Sequence, residues 1–420
     1  MDKIRVMGGR PLNGSIHIGG SKNAVLPILA AGLLTDAPLV LDNVPALADV
    51  QSMQALLRTH GMSIETESAH RLALSTPAIT NRTADYELVR KMRASVLVLG
   101  PLLARVGEAK VSLPGGCAIG QRPVDLHLKG LEDLGAEIRL EGGYIHAWTP
   151  KGLRGNHIPL AVPSVGATEN LLMAAALADG ETVITNAARE PEVVDLAGFL
   201  IAMGAKIDGA GGATITIQGV PALHGADYRV IADRIELGTY AIAAAITGGE
   251  LRLIGGRAAL IGSLIEKLQE AGIDVTAAGE DLIVACHGRR PMGVDVMTQA
   301  HPGFPTDLQA QFMALMCVAD GAAMVTETIF ENRFMHVSEL TRMGAKITVH
   351  GGSALVRGSE RLIGAPVMAT DLRASVSLIL AALAAEGESE VSRVYHLDRG
   401  YERVDEKLRR CGAEIERVAQ

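Results

Sequence analysis

The stretch Pro114-Gly115-Gly116-Cys117-Ala118-Ile119-Gly120-Gln121-Arg122-Pro123-Val124-Asp125-Leu126-His127 sets one thiol among glycines, shortly before a guanidinium. A neighbouring cation favours the thiolate and makes a cysteine reactive. Glycines open backbone angles that other residues avoid, so a loop carrying Cys117 can fold over a bound molecule or swing aside. Cysteine is also a common small core residue, and that structural role stays open for Cys117. Against it, neither the Pro-Gly-Gly before Cys117 nor the Gly-Gln-Arg-Pro after it has the period of a buried strand or an amphipathic helix.

A second set of residues stands where helices are predicted to begin. Lys22, Arg93, Arg234 and Arg373 each open an Ala- and Leu-rich segment. A cation at a helix N-terminus opposes the dipole by ~0.3–1 kcal/mol, whereas the free N–H groups there attract anions. Four cations at equivalent places therefore read either as solvated loop ends or as an anion site. Asp307 is the exception. His301-Pro302-Gly303-Phe304-Pro305-Thr306-Asp307 leads stiffly into its helix, with Thr306 the expected N-cap. Asp307 is then either a dipole-favoured acid of the first turn or, among anion-binding cations, a base that accepts a proton from a hydroxyl. Arg122, Arg333 and Arg399 occupy related positions in a later loop, and His396 receives no role.

The elements that position these residues repeat. Glycines at 61, 135, 204, 272, 344 and 412 each follow a short helix and precede a strand, as in Met203-Gly204-Ala205-Lys206-Ile207 and Met343-Gly344-Ala345-Lys346-Ile347. They are read as C-cap glycines. Upstream of each lies a helix apolar on most faces, beginning near Lys22, Arg93, Thr168, Arg234, Asp307 and Arg373; such helices must be buried. The unit is helix, strand, helix, hairpin, about 70 residues long, six times over, which is the signature of a repeat architecture. The sixth unit lacks its return strand, and the N-terminus offers an unassigned hairpin from Ile4 to Ile18. The economical division is one domain of residues 22–231 and another of residues 1–21 plus 232–420, with a hinge at the double crossover and the ligand site expected in the cleft.

A chain of 420 residues is long enough for two cores. Its net charge of −8 opposes nucleic acid as a partner. Cys117, Cys286, Cys317 and Cys411 fit no metal-ligand spacing. No signal-peptide core and no apolar run of ~18 residues is evident, so a cytoplasmic chain without a membrane partner is expected.

With Ser21-Lys22-Asn23-Ala24, Met92-Arg93-Ala94-Ser95, Gly115-Gly116-Cys117 through Asp125, Ser164-Val165-Gly166-Ala167-Thr168-Glu169-Asn170, Phe304-Pro305-Thr306-Asp307, Glu331-Asn332-Arg333-Phe334 and Asp398-Arg399-Gly400-Tyr401 in that order, the chain resembles the enolpyruvyl transferases over its whole length. The resemblance is greatest to those that use UDP-N-acetylglucosamine. It implies an α/β fold of two inside-out domains with three repeats each. It also implies a reaction between phosphoenolpyruvate and the 3′-hydroxyl of UDP-N-acetylglucosamine, the first committed step of peptidoglycan synthesis, without cofactor or metal. Carried over residue by residue, Cys117 is the acid that protonates the methylene carbon, and a covalent adduct there is possible; Asp307 is the base. Phosphoenolpyruvate falls to Lys22, Asn23, Arg122, Arg373 and Arg399. The nucleotide sugar falls to Arg93, to Arg122, Pro123, Val124, Asp125 and Leu126, to Val162, Pro163, Ser164 and Val165, and to Asp307 and Ile329. Some family members have lysine where this chain has Val162, which removes a charge contact to the diphosphate. Three rival readings remain: transfer to shikimate 3-phosphate, an RNA 3′-phosphate cyclase-like protein, and a catalytically silent paralogue. The Cys117–Asp125 pattern opposes the first. The charge opposes the second. The intact Cys117, Asp307, Lys22 and Arg399 oppose the third.

Overall fold

The computed structural model describes residues 2–114 and 124–419. Its contacts divide them into two compact halves: a central one, residues 20–114 with 124–231, and a terminal one, residues 2–19 with 232–419. Each half has its own apolar core.

The repeated glycines all adopt positive φ, from 83° to 103°. At each of them the glycine N–H and the N–H of the next residue reach back into the last turn of the helix. Gly61 donates to the Arg58 carbonyl and Met62 to that of Leu57; Gly412 and Ala413 do the same to Arg409 and Leu408. These paired bonds satisfy carbonyls that a helix end leaves open, and only glycine takes the required left-handed angle without cost. The chain therefore reverses in one residue and enters a strand.

Six four-stranded sheets are present among the described residues, all of one pattern. In one of them, Ala322–Thr326 runs antiparallel to Ser353–Arg357, which pairs with the glycine strand Lys346–His350; a short parallel strand, Val296–Met297, lies at the other edge. Side chains alternate, so Ala323, Val325, Ala354 and Val356 are buried while their neighbours face outward. The parallel edge strand is an addition to the predicted unit.

Two expectations need correction. The N-terminal hairpin does not exist: Asp2–Met7 inserts between Glu388–Ser392 and Glu414–Ala419, whereas Asn13–His17 runs parallel to Glu250–Ile254 in a different sheet. Only the first of the two completes the sixth unit. Gly8-Gly9-Arg10-Pro11 between them is a connection across sheets, not a tight turn. Likewise the helix placed near Thr168 starts three residues earlier, at Val165, because the Ser164 hydroxyl caps it by accepting from Ala167 N–H at 3.4 Å.

The apolar helices are interior, as their composition demands. Arg234–Thr247 buries every residue from Ile235 to Ile246, and Leu372–Ala384 buries Arg373 to Leu383. With Gln309–Cys317 they pack on one another in the terminal half. Their first turns carry the candidate residues.

Candidate active site

In the terminal half, Asp307 lies in the 3-10 turn Thr306–Leu308 that precedes Gln309–Cys317. Arg333 Nη2 donates to its Oδ1 at 2.7 Å, and Arg373 Nη2 to its Oδ2 at 3.3 Å. Both guanidinium side chains are nearly covered, whereas the carboxylate keeps 26% of its side-chain surface open, enough for a substrate hydroxyl to reach it. Burial alone would raise the Asp307 pKa. Arg373, then Arg333 and Arg234, overcome it and hold the carboxyl well below the usual carboxylate range. Asp307 is thus ionised but weakly basic while both arginines grip it.

Behind this pair stands Tyr401, 1% exposed. Thr239 spends its own proton on the Ile235 carbonyl at 2.7 Å, so the Tyr401 hydroxyl donates to Thr239 Oγ1 at 3.0 Å and accepts from Gln311 at 3.3 Å and Arg373 at 3.4 Å. One phenol therefore links the N-terminal turns, first or second, of three interior helices. Arg399 ends the 3-10 helix Val394–Arg399, half-buried. Ile329 is 39% exposed.

Thr306 is not an N-cap. Pro305 holds that position, and the Thr306 hydroxyl donates to Glu327 Oε2 at 2.9 Å.

In the central half, Lys22 opens the helix Lys22–Ala31, and its Nζ lies 3.2 Å from Asp49 Oδ2 with both side chains largely buried. Asn23 follows it, half-buried. The dipole penalty foreseen for cations at helix starts is thus met inside the protein, by Asp49 for Lys22 and by Asp307 for Arg373. Asp233 and Asp371 add N-caps beside Arg234 and Arg373, each accepting two backbone N–H bonds.

Arg93, Val124 to Leu126 and Ser164 to Val165 belong to three elements joined by one buried amide. Asn170 Oδ1 accepts Gly100 N–H at 2.7 Å, which fixes the amide's orientation. Its Nδ2 then donates to the Val96 carbonyl at 3.0 Å and to His127 Nδ1 at 3.1 Å. Arg93 opens the 3-10 helix that contains Val96, Asp125 opens the helix that contains His127, and Ser164 caps the helix that contains Asn170. Because Nδ1 accepts, His127 in its neutral form carries its proton on Nε2. Asn170→Ala takes the side-chain acceptor from the buried Gly100 N–H, at roughly 1–3 kcal/mol, and removes one bond each to the Val96 carbonyl and His127. The transition of a unit this size should then fall by several degrees, at about 2–4 °C per kcal/mol. Calorimetry checks it; an unchanged melting temperature would show that the amide adds no stability.

Val162 and Pro163 are exposed, Val162 at 57%. Cys117, Arg122 and Pro123 lie outside the described residues. Sequence reading gave no role to Arg333, although it shares a repeat position with Arg122 and Arg399. It also missed Asp49 and Glu327, which no local pattern marks, and gave Asn170 no role beyond its place in the Ser164–Asn170 motif.

No helix among the described residues is long and apolar enough to cross a membrane. Residues 6–408 match the family described as EPSP synthase (3-phosphoshikimate 1-carboxyvinyltransferase). The chain is 63% identical over 420 residues to the UDP-N-acetylglucosamine 1-carboxyvinyltransferase of Granulibacter bethesdensis, and 62% identical over 421 residues to that of Gluconacetobacter diazotrophicus, with 100% of both chains covered in each case. Among solved structures it resembles the enolpyruvyl transferase NikO from Streptomyces tendae (TM-score 0.91, 24% identity, 100% and 99% of the two chains). It also resembles EPSP synthase from Acinetobacter baumannii (TM-score 0.77, 19% identity, 100% of each). At these identities the structures speak for the fold only; the full-length sequence matches carry the kinship. The chain belongs to the EPSP synthase family, the enolpyruvyl (1-carboxyvinyl) transferases.

Proposed function

We propose that this chain moves the enolpyruvyl group of phosphoenolpyruvate onto the 3′-hydroxyl of UDP-N-acetylglucosamine and releases phosphate. In a bacterial cytoplasm this commits the nucleotide sugar to peptidoglycan, and thus to cell shape and division. The observation that carries the reading is the end-to-end identity of 63% to a protein named for that reaction. It favours the nucleotide sugar over shikimate 3-phosphate as acceptor.

The chemistry is addition followed by elimination. The sugar hydroxyl adds through oxygen to C2 of phosphoenolpyruvate, its proton passing to Asp307, while C3 gains a proton from Cys117. C3 then loses a proton as the C2–phosphate bond breaks. Neither step changes the overall oxidation state, so no redox cofactor is called for. Lys22, Asn23, Arg122, Arg373 and Arg399 hold the phosphate and carboxylate through both steps, which is fixed-charge stabilisation of the tetrahedral adduct. Arg93, residues 122–126 and 162–165, and Ile329 take the nucleotide sugar. The exposed Val162 leaves backbone groups, not a side-chain charge, for the diphosphate.

The pairing at Asp307 supports this order of events. A phosphate that draws Arg373 away relieves one of the two cations holding the carboxylate, and its basicity rises as the second substrate needs it. Incubation with phosphoenolpyruvate plus either acceptor tests the reading. Phosphate is expected with UDP-N-acetylglucosamine and not with shikimate 3-phosphate; the reverse pattern would overturn it.

A further inference from the structure

We infer that Glu327 is a positioning residue for Asp307, clamping the two loops that meet at that carboxylate. The inference rests on the reading that Asp307 accepts the hydroxyl proton. Glu327 follows the strand Ala322–Thr326 and is 7% exposed. No basic side chain among the described residues pairs with it. Its charge is met by four donors instead. Oε1 accepts the Thr298 hydroxyl at 2.9 Å, Ile329 N–H at 2.8 Å and Phe330 N–H at 3.1 Å, and Oε2 accepts the Thr306 hydroxyl at 2.9 Å.

These bonds close a ring. Thr306 is the neighbour of Asp307. Ile329 and Phe330 begin the loop that ends at Arg333, and Arg333 returns to Asp307 at 2.7 Å. The loop is pinned a second time by Thr298, whose Oγ1 accepts Thr328 N–H at 2.9 Å. Asp307 thus approaches its arginine along one loop and is anchored along the other, and both loops start from a single carboxylate. A buried carboxylate without a cation is a costly way to gain stability, because an apolar side chain fills the same space without desolvating a charge. What only an acceptor with several lone pairs can do here is fix two loops to one point. A displacement of about 1 Å at a reacting group can cost on the order of 10²-fold in rate, so this tie bears on turnover.

The test is a set of steady-state measurements with phosphoenolpyruvate and UDP-N-acetylglucosamine. Glu327→Ala should lower kcat by about 10- to 100-fold. It should raise KM for the nucleotide sugar, through the Ile329 loop, and leave KM for phosphoenolpyruvate within about twofold, an asymmetry that general loosening would not produce. Glu327→Gln should recover most of kcat, because its amide can donate to a Thr306 hydroxyl turned to accept. Thr306→Val cuts only the tie to Asp307 and should lower kcat without moving KM for the nucleotide sugar. Added to Glu327→Ala, it should lower kcat no further, since both act through one contact. Wild-type kcat in Thr306→Val overturns the inference even if Glu327→Ala fails to fold. So does full kcat in Glu327→Ala alongside a crippled Asp307→Asn. Full activity in Asp307→Asn would instead overturn the reading of Asp307 as the base.

Discussion

Asp307→Asn is expected to lower kcat by about 10²–10⁴-fold, the usual contribution of a positioned acid or base. The amide matches the carboxylate in shape and can still accept from one arginine, but it cannot take a proton from a hydroxyl. The same change should reach stability. Arg333 and Arg373 are 6% and 7% exposed at the side chain and lose their shared counter-charge. Breaking a buried pair from one side costs about 3–5 kcal/mol, and the quarter-open carboxylate places this case toward the lower end. The pH dependence follows from the direction of the shift. The folded-state pKa of Asp307 lies below its ordinary value, so the stabilisation is complete above the unfolded pKa of ~3.9 and is lost as pH falls through the folded one. Urea denaturation at pH 7 and near pH 3 should show the gap between wild type and variant narrowing in acid. A variant with near-wild-type kcat would remove Asp307 from the chemistry.

Cys117→Ser is expected to lower kcat over a similar range, because a serine hydroxyl is a far weaker acid than a thiol near pKa ~8.5. The rest of the chain makes this residue easy to isolate. Cys286, Cys317 and Cys411 are all buried. Burial raises the pKa of each, that of Cys317 to about 12, and the Cys286 thiol donates to the Arg289 carbonyl at 2.8 Å. At pH 7 these three are poor nucleophiles. Fosfomycin, an epoxide, should therefore add once per chain to the wild type and not at all to Cys117→Ser, with loss of turnover tracking the added mass. Mass spectrometry with a parallel phosphate assay decides it. Labelling that survives the substitution, or a serine variant with full turnover, would take the proton donor elsewhere.

The parts of the fold legible in the sequence were those with a local cause. A reversal after a helix needs left-handed backbone, so Gly61, Gly135, Gly204, Gly272, Gly344 and Gly412 announced the six units. Helices with no polar face had to be interior. Strand partners were less readable. Val296–Met297 and Thr83–Ala84 are two residues long and carry no alternation. Nothing within residues 2–17 says that neighbouring strands join different sheets, because the choice is made by partners hundreds of positions away. At the candidate site, charge types at repeated positions pointed to Lys22, Arg93, Arg373 and Asp307, and the family motifs gave them roles. The supporting groups were invisible for the same reason as the strand partners. Glu327 and Asn170 matter through what folding brings to them, and Thr306, read locally as a cap, turned out to serve a carboxylate twenty-one residues on.

The pairing of Asp2 with Ala419 and of Met7 with Glu414 bears on synthesis and on engineering. The strand Asp2–Met7 must wait for Glu414–Ala419, with the whole central half translated in between. The terminal half consequently completes that sheet only after Glu414–Ala419 has been made, whereas the central half can close beforehand. The same pairing sets Asp2 and Ala419 side by side. A short linker joining them, with new ends cut in the Gly142-Gly143 turn between Glu137–Glu141 and Tyr144–Trp148, should yield a circular permutant that keeps all six sheets and folds from a different starting point.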